Sequence, residues 1–135
     1  MNKKRVNEWI PRAKEALEKA GIAENNTIDK TFRGQISSFG AAITMGSLTA
    51  AVAFFSQKGS SQTDRHNLLL ALDYIIHDRT ECRKKEEVSK ILDDVLGTPQ
   101  AGMHSLTAAY IDASIALKLA MNYFDMTKKD GAGNA

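Results

Sequence analysis

The sequence has few of the residues that interrupt helices or cross-link a fold. Only two prolines, Pro11 and Pro99, occur among its 135 residues. Cys82 is the single cysteine, which excludes a disulfide framework and a cysteine-based zinc site and fits a reducing compartment. The chain is 43% hydrophobic and 25% charged, as is usual for a globular domain. These values indicate one helix-rich domain with a core of its own.

Signals for secretion, strands and repeats are also missing. The first residues, MNKKRVNEWIPR, are basic but contain no apolar segment of a secretory signal. We therefore expect a cytoplasmic protein. No segment of useful length alternates apolar and polar residues as a half-buried strand does, and no internal repeat occurs.

Charged residues are absent from a long stretch between Arg33 and Lys58, GQISSFGAAITMGSLTAAVAFFSQ. As a helix it would extend roughly 36 Å, which is enough to cross a bilayer. Its many Ser, Thr, Gln and Ala residues argue against a membrane span. Two apolar stripes at helical spacing instead predict a buried central helix, with a bend point at Gly46-Ser47.

Helical spacing recurs on both sides of this stretch. A first helix is predicted from about Asn7 to Ala20, with Gly21 ending it and Pro11 either in its first turn or at a kink. The connector that follows, GIAENNTIDK, carries its turn signal at Asn25-Asn26. Three later helices are predicted from about Thr63, over 88–96, and from about Met103 to Met126. The sequence therefore predicts an all-α fold, a compact bundle of about five to six helices around a buried central helix. Residues 1–135 form one domain in this prediction, with 1–5 and 127–135 mobile.

Metal-ligating side chains cluster only weakly. Asp73 and His77 are four residues apart and share a helix face, with His66 near the same face. Such a set offers three ligands to a metal, as in a metal-dependent hydrolase. Polar residues one or two turns apart on a helix more commonly face water or pair with each other.

Catalytic motifs are not apparent. Arg79, Arg83, Lys84 and Lys85 surround Cys82 in sequence and would lower the pKa of its thiol, but no base accompanies it. The chain contains no phosphate-binding glycine loop, no HExxH and no GxSxG. We therefore expect a protein that is not an enzyme and that holds no cofactor.

The positive charge is concentrated near the amino terminus. Residues 1–34 carry eight basic and five acidic residues, whereas residues 67–97 carry five basic and seven acidic ones. This imbalance is compatible with sequence-independent contact with a nucleic-acid backbone, although solvated helix surface alone more often explains such an imbalance. The candidate contacts to a nucleic-acid backbone are Arg5, Arg12, Arg33, Lys58 and Arg65.

The order of segments resembles a known family. The chain resembles the small all-helical subunit of the type III-B CRISPR (Cmr) RNA-targeting effector complex. The resemblance lies in three segments and their order: EALEKAGIAE, then FRGQISSFGAAITMGSLTAAVAFFSQKG, and, after a polar loop, LLLALDYII. The most specific residues are Ser38-Phe39-Gly40, Gly46, Leu48 and Ala53-Phe54-Phe55. The resemblance spans about Val6 to Met126, and small and apolar residues carry it.

This resemblance implies a function that composition alone does not. Such subunits have no catalytic role and stack into a short filament beside the backbone subunits that hold the guide RNA. They stabilise the guide–target RNA duplex in antiviral defence, and their partners are the other Cmr subunits, neighbouring copies, guide RNA and target RNA. The alternatives are a metal-dependent hydrolase built on His66, Asp73 and His77, and a helical protein–protein adaptor.

Overall fold

The computed structural model describes residues 1–58 and 64–127 of the chain. Helices account for most of these residues, which confirms the predicted all-α bundle. Within the described ranges the α-helices are α1 (Lys3–Lys19), α2 (Thr31–Met45), α3 (Leu48–Phe55), α4 (Arg65–Ile76), α5 (Val88–Leu96) and α6 (Gln100–Ala120). Three short strands accompany them, β1 (Ala23–Glu24), β2 (Thr27–Asp29) and β3 (Asp125–Thr127).

Helix α1 begins earlier than predicted because Asn2 caps it. The Asn2 side chain accepts a hydrogen bond from the backbone N–H of Arg5, so residues expected to be mobile form the first turn. Pro11 consequently lies inside the helix, on its exposed side. At the other end, Gly21 has φ +78°, and the N–H of Ile22 donates to the carbonyl of Leu17. This closing pattern confirms Gly21 as the predicted end of the helix.

The connector after α1 forms a small sheet that the sequence pattern did not indicate. Asn25 and Asn26 both have positive φ, 51° and 64°, as a two-residue hairpin turn requires. This turn pairs β1 with β2, and β3 then pairs parallel to β2, with Ile28 opposite Met126. Strands of two or three residues are too short to show alternation in sequence. The prediction that the last helix reaches Met126 is wrong, because α6 ends at Ala120 and residues 125–127 form β3.

The uncharged stretch forms two helices rather than one. Ser47 accepts a hydrogen bond from the N–H of Ala50 at 3.0 Å, and so caps a new helix directly after Gly46. The predicted bend point is therefore a break between α2 and α3. No helix in the described ranges is long and apolar enough to cross a membrane.

The buried central helix of the bundle is α4. All nine residues from 67 to 75 are buried, including the polar Asn67 and Asp73. Helices α1, α2, α3, α5 and α6 all pack against it. The prediction placed Gly34–Gln57 in this position, which was wrong because α2 and α3 each bury only one side. The leucine-rich run LLLAL of α4 has no polar face and so has to be surrounded.

The boundaries of α4 and α5 follow capping and stop residues. Asp64 caps α4 by accepting a hydrogen bond from the N–H of His66 at 2.9 Å. Thr63, the predicted start, lies outside the described residues, as do residues 128–135. Helix α5 spans Val88–Leu96 as predicted, with Gly97 and Pro99 after it.

A buried carboxylate ties the end of α4 to the link that follows. Asp73 is 0% exposed, and one of its oxygens, Oδ2, lies 2.6 Å from Nε of Arg79 and 3.7 Å from Nε of Arg83. His77 approaches the other oxygen at 3.7 Å. The hydrogen bond to Asp73 raises the pKa of Arg79, so the guanidinium stays charged. Asp73 therefore fixes the course of the α4–α5 link.

We expect Asp73→Asn to lower the free energy of unfolding by about 3 kcal/mol, because it leaves two guanidinium groups without their shared carboxylate. Urea unfolding followed by circular dichroism measures this change. The matched control is Asp94→Asn, which removes the exposed carboxylate that contacts Arg83 at 3.3 Å. A change within about 0.5 kcal/mol is expected for the control. Equal losses in the two variants would show that Asp73 has no special structural role.

Candidate nucleic-acid interface

Arg5 joins the start of α1 to α6. Its Nε donates to Oδ2 of Asp112 at 2.9 Å, and Nη2 lies 2.8 Å from the same oxygen. Asp112 is 1% exposed, so Arg5 neutralises a buried charge. The guanidinium also lies 5.1 Å from the centre of the Trp9 ring. Arg5 thus has a structural contact on one side and a partly exposed side chain on the other.

Arg12 is held by α4 and by the link after it. Its Nη2 donates to the backbone carbonyls of Tyr74 at 3.0 Å and Arg79 at 2.8 Å. Its Nη1 donates to the Tyr74 hydroxyl and to Glu15, each at 3.2 Å, and the guanidinium lies 4.3 Å from the Tyr74 ring centre. With both terminal nitrogens in use, Arg12 can offer an external anion little more than its charge.

Arg33 and Lys58 lie at opposite ends of the α2–α3 segment. Arg33 is half-buried, and its Nη1 donates to the side-chain oxygen of Asn122 at 2.9 Å. Lys58 is exposed just after α3. Both side chains therefore keep N–H donors that no partner within residues 1–58 and 64–127 occupies.

Arg65 packs on the aromatic end of α3. Its guanidinium lies 4.9 Å from the ring centre of Phe54 and 5.9 Å from that of Phe55. The neighbouring His66 donates from Nε2 to the carbonyls of Ser56 and Gln57, at 3.2 and 3.0 Å. These contacts hold the start of α4 beside the residues that precede Lys58.

The five candidate cations consequently do not converge on one point. Arg5 faces α6, Arg12 faces α4, Arg33 faces Asn122, and Arg65 lies on α3 beside the segment of Lys58. An elongated polyanion, which contacts many cations weakly, suits this distribution better than a small ligand.

The proposed metal ligands do not assemble into a site. His66 hydrogen-bonds to the carbonyls that follow α3, and both oxygens of Asp73 accept from the guanidinium of Arg79. Residues 1–58 and 64–127 contain no group of three or more His, Cys, Asp or Glu that could hold a metal. Spacing along a helix does not show which partners already occupy these side chains.

Cys82 is not an activated thiol. Burial, followed by the charge of Asp73, raises its pKa to about 11. Its Sγ lies 3.8 Å from the carbonyl oxygen of Leu70. The basic neighbours in sequence suggested a lowered pKa, but removal from water outweighs them here.

We expect Cys82 to react with iodoacetamide far more slowly than free cysteine at about pH 8, because only about one thiol in a thousand is then ionised. The alkylation rate, followed by mass spectrometry, should keep rising with pH beyond about pH 9. Protein unfolded in urea is the control and should react at the ordinary rate. A rate that levels off near about pH 9 in the folded protein would contradict the burial argument.

The structure also brings together cations that the sequence analysis did not connect. Lys19, at the end of α1, lines one pocket with Arg83, Lys84 and Lys85 of the α4–α5 link. The run RKK at 83–85 was the available signal, but nothing in the sequence placed Lys19 beside it.

Comparison with known families gives a class to this helical bundle. A family model of CRISPR-associated proteins matches residues 9–121, which is well over half of the chain. The chain belongs to that family, described as CRISPR-associated protein (Cas_Cmr5). It is therefore a small Cmr-type CRISPR-associated subunit, and the resemblance noted in the sequence is confirmed. No curated protein and no solved structure matches the chain significantly.

Proposed function

We propose that this protein is a non-catalytic small subunit of a type III-B Cmr effector complex, acting in the cytoplasm in antiviral defence. The observation that carries the proposal is the family match over residues 9–121. The contacts of the candidate catalytic groups support a non-catalytic role, because His66 and Asp73 are engaged in holding the fold. The raised pKa of the Cys82 thiol supports it too.

The proposed partners are the backbone subunit of the complex and neighbouring copies of this chain, stacked as a filament. A shallow groove of about 310 Å³ between α2 and α6 supports this assignment. The groove is lined in part by small residues that let another subunit approach closely, namely Gly40, Ala41 and Ser114. Met45 on α2 is 87% exposed and Leu119 on α6 is 42% exposed. Exposed large apolar side chains of this kind favour contact with protein.

The proposed role towards RNA is to stabilise the guide–target duplex through phosphate contacts. Arg33, Lys58 and Arg65 would donate N–H groups to phosphates, Arg5 would do so from its exposed side, and Arg12 would contribute its charge. Such contacts carry no sequence information, so the guide would select the target. Each contact is weak, and repetition of the subunit along a filament would multiply the effect.

Affinity purification of the tagged protein from its native host, with sequencing of bound RNA, tests this function. The proposal expects larger CRISPR-associated proteins and short RNAs that share a common 5′ sequence. Recovery of unrelated proteins without RNA would favour the adaptor alternative. Recovery of the chain alone would contradict the proposal.

We expect the triple reversal Arg33→Glu, Lys58→Glu and Arg65→Glu to weaken binding of assembled complexes to target RNA by about 100-fold or more at low salt. Fluorescence anisotropy at several salt concentrations measures the affinity, and the slope against salt should become shallower. A triple reversal at Lys4, Lys30 and Lys90 is a charge-matched control, because all three are exposed, lie outside the five candidates and line neither the groove nor a pocket.

An equal loss in the two triple variants would mean that net charge alone governs binding. Unchanged binding in the first variant would overturn this choice of residues without bearing on assembly of the complex. The Arg12 position is left unchanged in both variants, because its loss would destabilise the fold.

A further inference from the structure

A basic pocket lies where the end of α1 meets α4 and the α4–α5 link. It has a volume of about 290 Å³ and is lined by Lys19, Arg83, Lys84 and Lys85, with Asn67 of α4 among the other lining residues. None of the residues that line it is acidic. This size is near the lower end of the roughly 300–1,000 Å³ typical of ligand pockets, so it fits a small group.

The cations of this pocket are only partly neutralised. Lys85 pairs with Asp64 at 2.8 Å, and Arg83 lies 3.3 Å from Asp94 as well as near Asp73. Within the described parts of the chain, Lys19 and Lys84 form no ion pair. The pocket therefore retains positive charge that an anion would balance.

Two buried polar groups of the pocket lack partners. Asn67 is 8% exposed, and its Oδ1 accepts no hydrogen bond from the residues that the structure describes. Nη1 of Arg83 is likewise buried and donates to none of them. Buried polar groups are nearly always hydrogen-bonded, so Nη1 of Arg83 points to a ligand with an acceptor oxygen, and Oδ1 of Asn67 to one that also carries a hydroxyl donor.

The chemistry of these groups fits a phosphate. A phosphate offers several acceptor oxygens and up to two negative charges, which match a guanidinium and two free ammonium groups. The carboxamide of Asn67 has a donor and an acceptor at its end, so it can donate to a phosphate oxygen or accept from a hydroxyl.

We propose that the pocket formed by Lys19, Asn67, Arg83 and Lys84 binds a phosphate group, either of an RNA backbone or of a free nucleotide. This inference stands on the pocket alone and does not depend on the proposed assembly. If the phosphate belongs to RNA, the pocket adds a defined contact to the dispersed cations.

Titration of the isotope-labelled protein with pyrophosphate, followed by NMR, tests the site. The backbone amide of Gly21, which also lines the pocket, and the side-chain amide of Asn67 should shift together and saturate. The double variant Lys19→Ala and Lys84→Ala should bind about tenfold or more weakly, since it removes two charged donors. Both side chains are exposed, so the fold should be retained.

Lys4→Ala with Lys30→Ala is the matched control, because both lysines are exposed and neither lines the pocket. It should change the affinity by less than about twofold. Competition then separates the two sources of phosphate. Displacement of pyrophosphate by a short oligouridine RNA would assign the pocket to RNA, and displacement by uridine monophosphate alone would assign it to a free nucleotide.

Shifts that do not saturate, or an equal loss of affinity in the two double variants, would overturn the proposal. Because pyrophosphate binding is measured on the isolated chain, that result would not affect assembly with other Cmr subunits. Copurification with those subunits likewise does not depend on the pocket, so the two proposals fail independently.

Discussion

The contact between Asp73 and Arg79, 2.6 Å between Oδ2 and Nε, closes one end of a helix that is buried along nine residues. A helix surrounded by five others leaves no room for unpaired charge, so the one carboxylate within it has to be met by cations from outside. Arg79 and Arg83 supply them from the α4–α5 link, and Arg12 then binds the carbonyls of Tyr74 and Arg79 from α1. The burial of α4 therefore determines where these three arginines lie.

The need to pair buried polar groups divides the basic residues into two groups. Arg5, Arg12 and Arg79 are engaged with buried carboxylates or carbonyls and hold helices together. Lysines such as Lys19 and Lys84 have no such engagement among the described residues and leave positive charge at the surface. A subunit that contacts a polyanion needs both groups, because the first keeps the scaffold rigid while the second interacts with phosphate.

Approximate helix positions, turns and stops were readable from the sequence, since Gly21 and Asn25-Asn26 act through local geometry. The caps Asn2, Ser47 and Asp64 were not predicted. Which helix is central was not readable. The uncharged stretch and the run LLLAL are both apolar, and only packing distinguishes them. The sheet depends on pairing between Ile28 and Met126, which are far apart in the chain. Tertiary contacts likewise determine the hydrogen-bond partners of Arg12 and His66. They also bring Lys19 into the same pocket as Arg83.

The division of cations is tested most directly by urea unfolding of two variants, Arg12→Gln and Arg33→Gln, which remove the same charge from α1 and α2. We expect a loss of about 2–3 kcal/mol for Arg12→Gln, because charged hydrogen bonds to the partly buried carbonyls of Tyr74 and Arg79 disappear. A change within about 0.5 kcal/mol is expected for Arg33→Gln, whose hydrogen bond to Asn122 is exposed. Equal free energies of unfolding for the two variants would contradict the separation of structural from available cations.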